Sequence, residues 1–149
     1  MILAADNYYS EEANRQYMSV SQFKDFNGTY GKVACEFEAM EKLTGRWKPE
    51  PSTALLVGSY VDAYVEGTLD DFKSRNTDIL TAKGELKAPY KKAEEIIARI
   101  ERDKYFMKYL SGEKQTIMTA ELFGCEWKIK MDSYIPGKVI VDLKVMASI

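Results

Sequence analysis

Lys128-Ile-Lys130-Met-Asp132-Ser-Tyr-Ile-Pro136-Gly137-Lys-Val139-Ile-Val141-Asp142-Leu143-Lys144 reads as two short strands joined by a turn at Pro136-Gly137. Asp142 and Lys144 are two residues apart on the second strand, so they share a face. Val139, Val141, Leu143 and Val145 take the opposite face, which is then the buried one. A three-residue loop at 136–138 would set Asp132 directly across from Asp142 and on its face. A two-residue loop would put the two carboxylates on opposite faces. Carboxylates paired across strands repel. Lys144 supplies only one compensating charge, so a divalent cation is the candidate for the rest. A neighbouring Asp and Lys on a strand also describe an ordinary surface ion pair, and spacing alone leaves that reading open.

The remaining composition narrows the chemistry. The chain has 149 residues, enough for one domain with its own core. Its net charge is -2, so any contact with nucleic acid must use a local basic surface. Histidine is absent, which excludes His-ligated zinc, Ser-His triads and imidazole acid–base chemistry. Cys35 and Cys125 fit no metal-ligand spacing and are expected to be buried free thiols in a reducing compartment. The start of the chain lacks a basic segment before its short apolar run. No segment approaches membrane-spanning length. The expectation is a cytoplasmic protein with no membrane partner.

Helices occupy the first two thirds of the chain. Residues 1–18 are polar and tyrosine-rich and read as an N-terminal arm or irregular lead-in. Ser19-Val-Ser-Gln22 has the form of a capping box and opens a short helix through about Phe26. A second helix is expected over residues 32–44, with Val33, Phe37, Met40 and Leu43 as its apolar stripe and Gly45 closing it. Ser52 caps a third helix, Thr53–Glu66, stopped by Gly67. It is apolar on nearly every side, yet Gly58, Asp62 and Glu66 fall at i, i+4 and i+8, giving one face two carboxylates. Mid-helix Gly58 costs about 1 kcal/mol against alanine, which suggests a packing or access requirement. Residues 69–85 look irregular. Pro89 suits the first turn of a long fourth helix, and Asp103 recaps its continuation as far as Gly112.

After Gly112 the apolar period changes to two. Residues 115–123, 125–133 and 139–145 read as strands, the middle one carrying Glu126, Lys128, Lys130 and Asp132 on one face. Helices followed by a three-stranded antiparallel meander make a single α/β domain over 1–149, α+β by element order.

An Asp at the end of one strand, a short turn, and Asp-x-Lys on the next resembles the PD-(D/E)xK nuclease signature. Here it is Asp132, then Val141-Asp142-Leu143-Lys144. The helix bearing Gly58-Ser-Tyr-Val-Asp62-Ala-Tyr-Val-Glu66 looks like the upstream motif of that superfamily's recombination and repair branch, and Met18-Ser-Val-Ser-Gln-Phe23 resembles the start of those domains. Together they resemble a phage-type exodeoxyribonuclease VIII-like domain over about residues 17–149.

The resemblance implies a restriction-endonuclease-like core and a metal-dependent DNA exonuclease serving phage recombination or repair. Asp132, Asp142 and Lys144 become the implied catalytic residues. Asp62, Asp132, Asp142 and the Leu143 carbonyl become the implied ligands of Mg2+ or Mn2+, since oxygen donors select hard cations. Glu66 is a weaker candidate behind Asp62, and Lys128 and Lys130 are candidates for DNA-backbone contact. A homo-oligomer and a recombination partner protein are further family-level expectations. The chain departs from the family in two places. Asp62 stands where many relatives have histidine. Relatives also continue past the Asp-x-Lys strand into a further helix and strand, so a truncated, partial domain is expected. With two cysteines, an iron–sulfur cluster is not expected. The alternative is a catalytically incomplete nuclease-like module that binds DNA or another protein.

Overall fold

The Pro136-Gly137 turn is the three-residue loop. Residues 136–138 connect Ile135 to Val139, Gly137 takes the left-handed conformation at φ 68, and the Lys138 N–H donates to the Ile135 carbonyl at 3.0 Å. The flanking strands belong to a sheet of β1 (Glu113–Leu122), β2 (Cys125–Ile135) and β3 (Val139–Val141), in the order β1-β2-β3. Ser133 pairs with Val141, Tyr134 with Ile140 and Ile135 with Val139. One step further along that register, Asp132 faces Asp142.

The second strand of the hairpin is shorter than its apolar alternation predicts, ending at Val141 instead of 145. The reason lies next to the ladder. The Leu143 N–H donates to the Asp132 carboxylate at 2.6 Å, so a side chain takes the donor that would serve a backbone pair. The two-residue period nonetheless survives. Val139, Val141, Leu143 and Val145 are half-buried, while Ile140, Asp142, Lys144 and Met146 are exposed.

The computed structural model describes residues 1–146, and the chain divides into two compact units. The first unit holds Met1–Glu50 with Ile117–Lys130, and the second holds Pro51–Thr116 with the segment from Met131.

In the first unit the lead-in is partly helical. Helix α1 (Glu11–Gln16) is capped by Ser10, whose hydroxyl accepts from Ala13 N, and it carries Glu11 and Glu12 in its first turn. Helix α2 (Val20–Asn27) begins with the expected capping box of Ser19 and Gln22. Helix α3 (Glu36–Leu43) starts later than residue 32, because Thr29 and Lys32 close a tight turn by exchanging backbone hydrogen bonds. The expected stripe is therefore outside: Val33 is 91% exposed and Phe37 75%, and the helix instead buries Ala39. Met18 bridges Trp127 in parallel, with Met18 N donating to the Glu126 carbonyl at 2.7 Å and Lys128 N to the Met18 carbonyl at 2.8 Å. Both cysteines are exposed, contrary to expectation: Cys35 sits at the N-cap of α3 and Cys125 opens β2 beside the hairpin tip.

In the second unit α4 (Thr53–Glu66) matches its predicted bounds. Ser52 accepts from Leu55 N, and left-handed Gly67 donates to the carbonyls of Ala63 and Tyr64. Residues 69–85 are more ordered than their composition suggests, forming α5 (Leu69–Arg75), a 3-10 turn (Thr77–Ile79) and a bridge between Leu80 and Leu86. Helix α6 (Ala88–Arg102) has proline in its first turn, and Asp103 caps α7 (Lys104–Tyr109) by accepting from Tyr105 N and Phe106 N. Tyr60, Val61, Ile79, Tyr90, Ala93, Ile97, Ile100 and Leu110 form the core. Val141, Leu143 and Val145 pack on it, so the apolar face of the hairpin's last segment is held down by burial.

Candidate active site

Helix α4 presents Asp62 and Glu66 one turn apart, because its opposite side is fixed in the core by Tyr60, Val61 and Ala63. Strand β2 brings Asp132 to them. Asp62, Val65, Glu66, Gln115, Asp132 and Leu143 line one solvent-open crevice within the second unit. Asp142 and Lys144 stand beside it. Their side chains pair at 2.6 Å and are 63% and 69% exposed, so both remain accessible to solvent. Lys144 also donates to the Leu143 carbonyl at 3.4 Å.

The electrostatics record this convergence. Asp62 is raised from 3.8 to about 6, first by burial, then by the charges of Asp132, Glu66 and Asp142, with Lys144 opposing. Three other carboxylates thus act on Asp62, and Lys144 only partly offsets them. Burial pushes the Lys114 ammonium below its ordinary value while Asp132 pulls it back. Lys114 is therefore a second cation beside Asp132, one the sequence pattern did not single out.

Gln115 was not singled out either. By its place in the alternation it is only the first residue of an expected strand. Its Oε1 is buried with no hydrogen-bond partner, and its backbone takes φ 52. That is the left-handed region, which a non-glycine residue occupies at a cost of about 1–3 kcal/mol. Neither property leaves a trace in apolar periodicity. Just before it, Gly112 is required sterically, because a Cβ there would lie 2.5 Å from the Tyr134 carbonyl oxygen. The buried Ser133 hydroxyl accepts from Gly112 N at 3.0 Å and donates to the Tyr109 carbonyl at 2.8 Å. These contacts fix the start of β1, and with it Lys114 and Gln115.

The two lysines expected at a DNA backbone belong to the first unit and are held differently. Lys128 is 4% exposed, and its Nζ donates to the Tyr8 carbonyl and to Asn14 Oδ1, each at 2.7 Å. Burial pushes its ammonium below the ordinary value. That side chain is a structural tie to the N-terminal segment, with two of its three N–H donors engaged there. Lys130 is half-buried, its Nζ 4.8 Å from the ring centre of Tyr9 and 5.7 Å from that of Tyr8.

The donor chemistry fits a hard divalent cation. Every side chain on the crevice that can ligate offers oxygen, neighbouring carboxylates raise Asp62, and one buried oxygen is unpartnered among the described residues. As placed, however, no group of three or more His, Cys, Asp or Glu among the described residues is arranged to hold a metal ion. Asp142 is tied to Lys144, and Asp132 accepts the Leu143 N–H.

A sequence model described as a PDDEXK-like domain of unknown function matches residues 19–149. A crystal structure from Eubacterium rectale titled "Putative exonuclease" is similar with a TM-score of 0.95 and 73% sequence identity, over 99% of this chain. The chain spans 56% of that protein's length. No curated protein matches significantly. Helices followed by a three-stranded antiparallel sheet, in a mixed α/β arrangement, agree with the PDDEXK-like nuclease fold.

Proposed function

The chain belongs to the family of PDDEXK-like domains, and from that premise we propose that it is a metal-dependent nuclease hydrolysing DNA phosphodiester bonds, an exonuclease of the exonuclease VIII kind serving phage recombination or repair. The observation that carries the proposal is the meeting of Asp62 from α4 with Asp132 from β2 and Leu143 on one crevice, with Asp142 and Lys144 at its edge. Family architecture alone does not specify activity; these side chains are what support the reading.

Hydrolysis of a phosphodiester adds water to phosphorus and expels an alkoxide, so negative charge builds on the phosphoryl oxygens and the leaving oxygen needs a proton. Asp62, Asp132, Asp142 and the Leu143 carbonyl would hold Mg2+ or Mn2+. Such an ion lowers the pKa of bound water and neutralises phosphate charge. Lys144 carries an exposed ammonium beside Asp142, within reach of a substrate from solvent. Its role is to orient the attacking water and to stabilise the charge that develops on the phosphate. Glu66 adds negative charge behind Asp62 and so favours a cation in the crevice.

The test is degradation of linear duplex DNA by the wild type and Lys144→Ala, with Mg2+ and with a chelator. Mg2+-dependent degradation that falls by roughly 10²–10⁴-fold in the variant supports the proposal. Equal rates in the two proteins would sink the catalytic assignment. The second reading, a catalytically incomplete module, is favoured by the absence of a gathered three-carboxylate set among the described residues. It predicts binding of divalent cation and DNA without turnover.

A further inference from the structure

We propose that Gln115 is an additional donor of the crevice, its side-chain carbonyl oxygen serving as a neutral ligand for the divalent cation. The inference rests on the nuclease reading of the site and extends it to a residue outside the Asp-Asp-x-Lys pattern. Three observations carry it. Gln115 lines the same crevice as Asp62, Glu66 and Asp132. Its Oε1 is buried and unpartnered, and among the described residues no other buried side-chain nitrogen or oxygen lacks a partner. Its backbone is held in the left-handed region, inside a strand, where a residue with a side chain is disfavoured.

An orphaned buried oxygen and a strained backbone at one residue both oppose folding, and native proteins concentrate such features where a ligand repays them. The neutrality of the amide matters as well. Asp62 already feels three other carboxylates, so a further donor without charge adds coordination without adding repulsion. An amide oxygen is an ordinary ligand for hard divalent cations. The segment is also positioned for the task. Gly112 and Ser133 lock the start of β1 against β2, so the approach to Gln115 is set by the Ser133 hydroxyl and close backbone packing instead of by the ion.

The experiment is calorimetric titration of the metal-free protein with Mn2+ and Mg2+, together with thermal unfolding in chelator, for the wild type, Gln115→Met and Gln115→Glu. Methionine keeps the length of the side chain and removes the oxygen. The expected result is a fall of about tenfold or more in cation affinity for Gln115→Met, with a metal-free melting temperature equal to or above that of the wild type, since a buried unpaired oxygen has been removed. Gln115→Glu keeps an oxygen donor and should bind cation at least as tightly as the wild type while melting lower without it. Wild-type affinity in Gln115→Met would overturn the inference and leave the carboxylate site standing. Unchanged affinity in Gln115→Met alongside loss in Asp132→Asn would confine the ligands to the carboxylates. No cation binding by the wild type would overturn the nuclease reading itself.

Discussion

Asp62 offers the most direct physical test of the site, because its predicted effect depends on pH and reverses when metal is added. Replacing it with asparagine keeps the shape and removes the charge. In the folded protein Asp62 is raised from 3.8 to about 6 by burial and by Asp132, Glu66 and Asp142. A raised carboxyl makes the folded state bind its proton more tightly than the unfolded state, so stability falls as pH rises through the interval from 3.8 to about 6. Below that interval the group is protonated in both states and contributes nothing. Above it the whole penalty is present. At 1.36 kcal/mol per pH unit the elevation corresponds to about 3 kcal/mol. Asp62 is half-buried and solvent screens its neighbours, so roughly 1–2 kcal/mol is the expected size. Urea unfolding followed by circular dichroism in chelator, from pH 4 to pH 8, should show Asp62→Asn more stable than wild type by that amount at pH 8. The difference should close towards pH 4. Added Mg2+ should stabilise the wild type more than the variant and narrow or invert the gap. A variant no more stable than wild type at pH 8, or a gap that ignores pH, would refute the convergence of carboxylates on Asp62.

Two further substitutions test the supports of the fold. Lys128→Ala should destabilise the protein by about 2–4 kcal/mol, because it empties a buried volume and strands the Tyr8 carbonyl and Asn14 Oδ1; an unchanged urea midpoint with weakened DNA binding would instead return Lys128 to a surface role. Gly112→Ala places a methyl 2.5 Å from the Tyr134 carbonyl oxygen and 2.7 Å from Ser133 Oγ, with an expected loss of roughly 2–4 kcal/mol. Calorimetric melting would read it, and a loss under about 0.5 kcal/mol would show that the start of β1 can move.

Local rules carried a large part of the fold. The capping box at Ser19, the bounds of α4 between Ser52 and Gly67, and the cap at Asp103 all follow from short-range hydrogen bonding, which a sequence states directly. The turn at Pro136-Gly137 was legible as well, while its three-residue length, which continues the register towards Asp132 and Asp142, is a finding of the structure. The second expected helix failed where a turn at 29–32 intervened, since apolar spacing cannot see a competing backbone conformation. The middle strand shows the same limit. Its alternation puts Lys128 and Ile129 on opposite faces, yet it is Ile129 that is exposed and Lys128 that is buried, whereas Met131 and Ser133 further along are buried. What covers a strand face is supplied by distant residues, here Tyr8 and Asn14 around Lys128.

Of the hairpin itself, the sequence determined the turn at Pro136-Gly137 and the face shared by Asp142 and Lys144, because side-chain alternation is local. The three-residue loop that sets the register of Asp132 is read from the structure. Tertiary structure decided what those residues meet. Packing of α4 through Tyr60, Val61 and Ala63 turns Asp62 towards Asp132. The capture of the Leu143 N–H by Asp132 ends the strand at Val141. The lock between Gly112 and Ser133 sets Gln115 on the crevice with its oxygen unpaired. Each depends on groups many residues apart in the chain meeting at hydrogen-bond or Coulomb range, and no spacing along one segment encodes that.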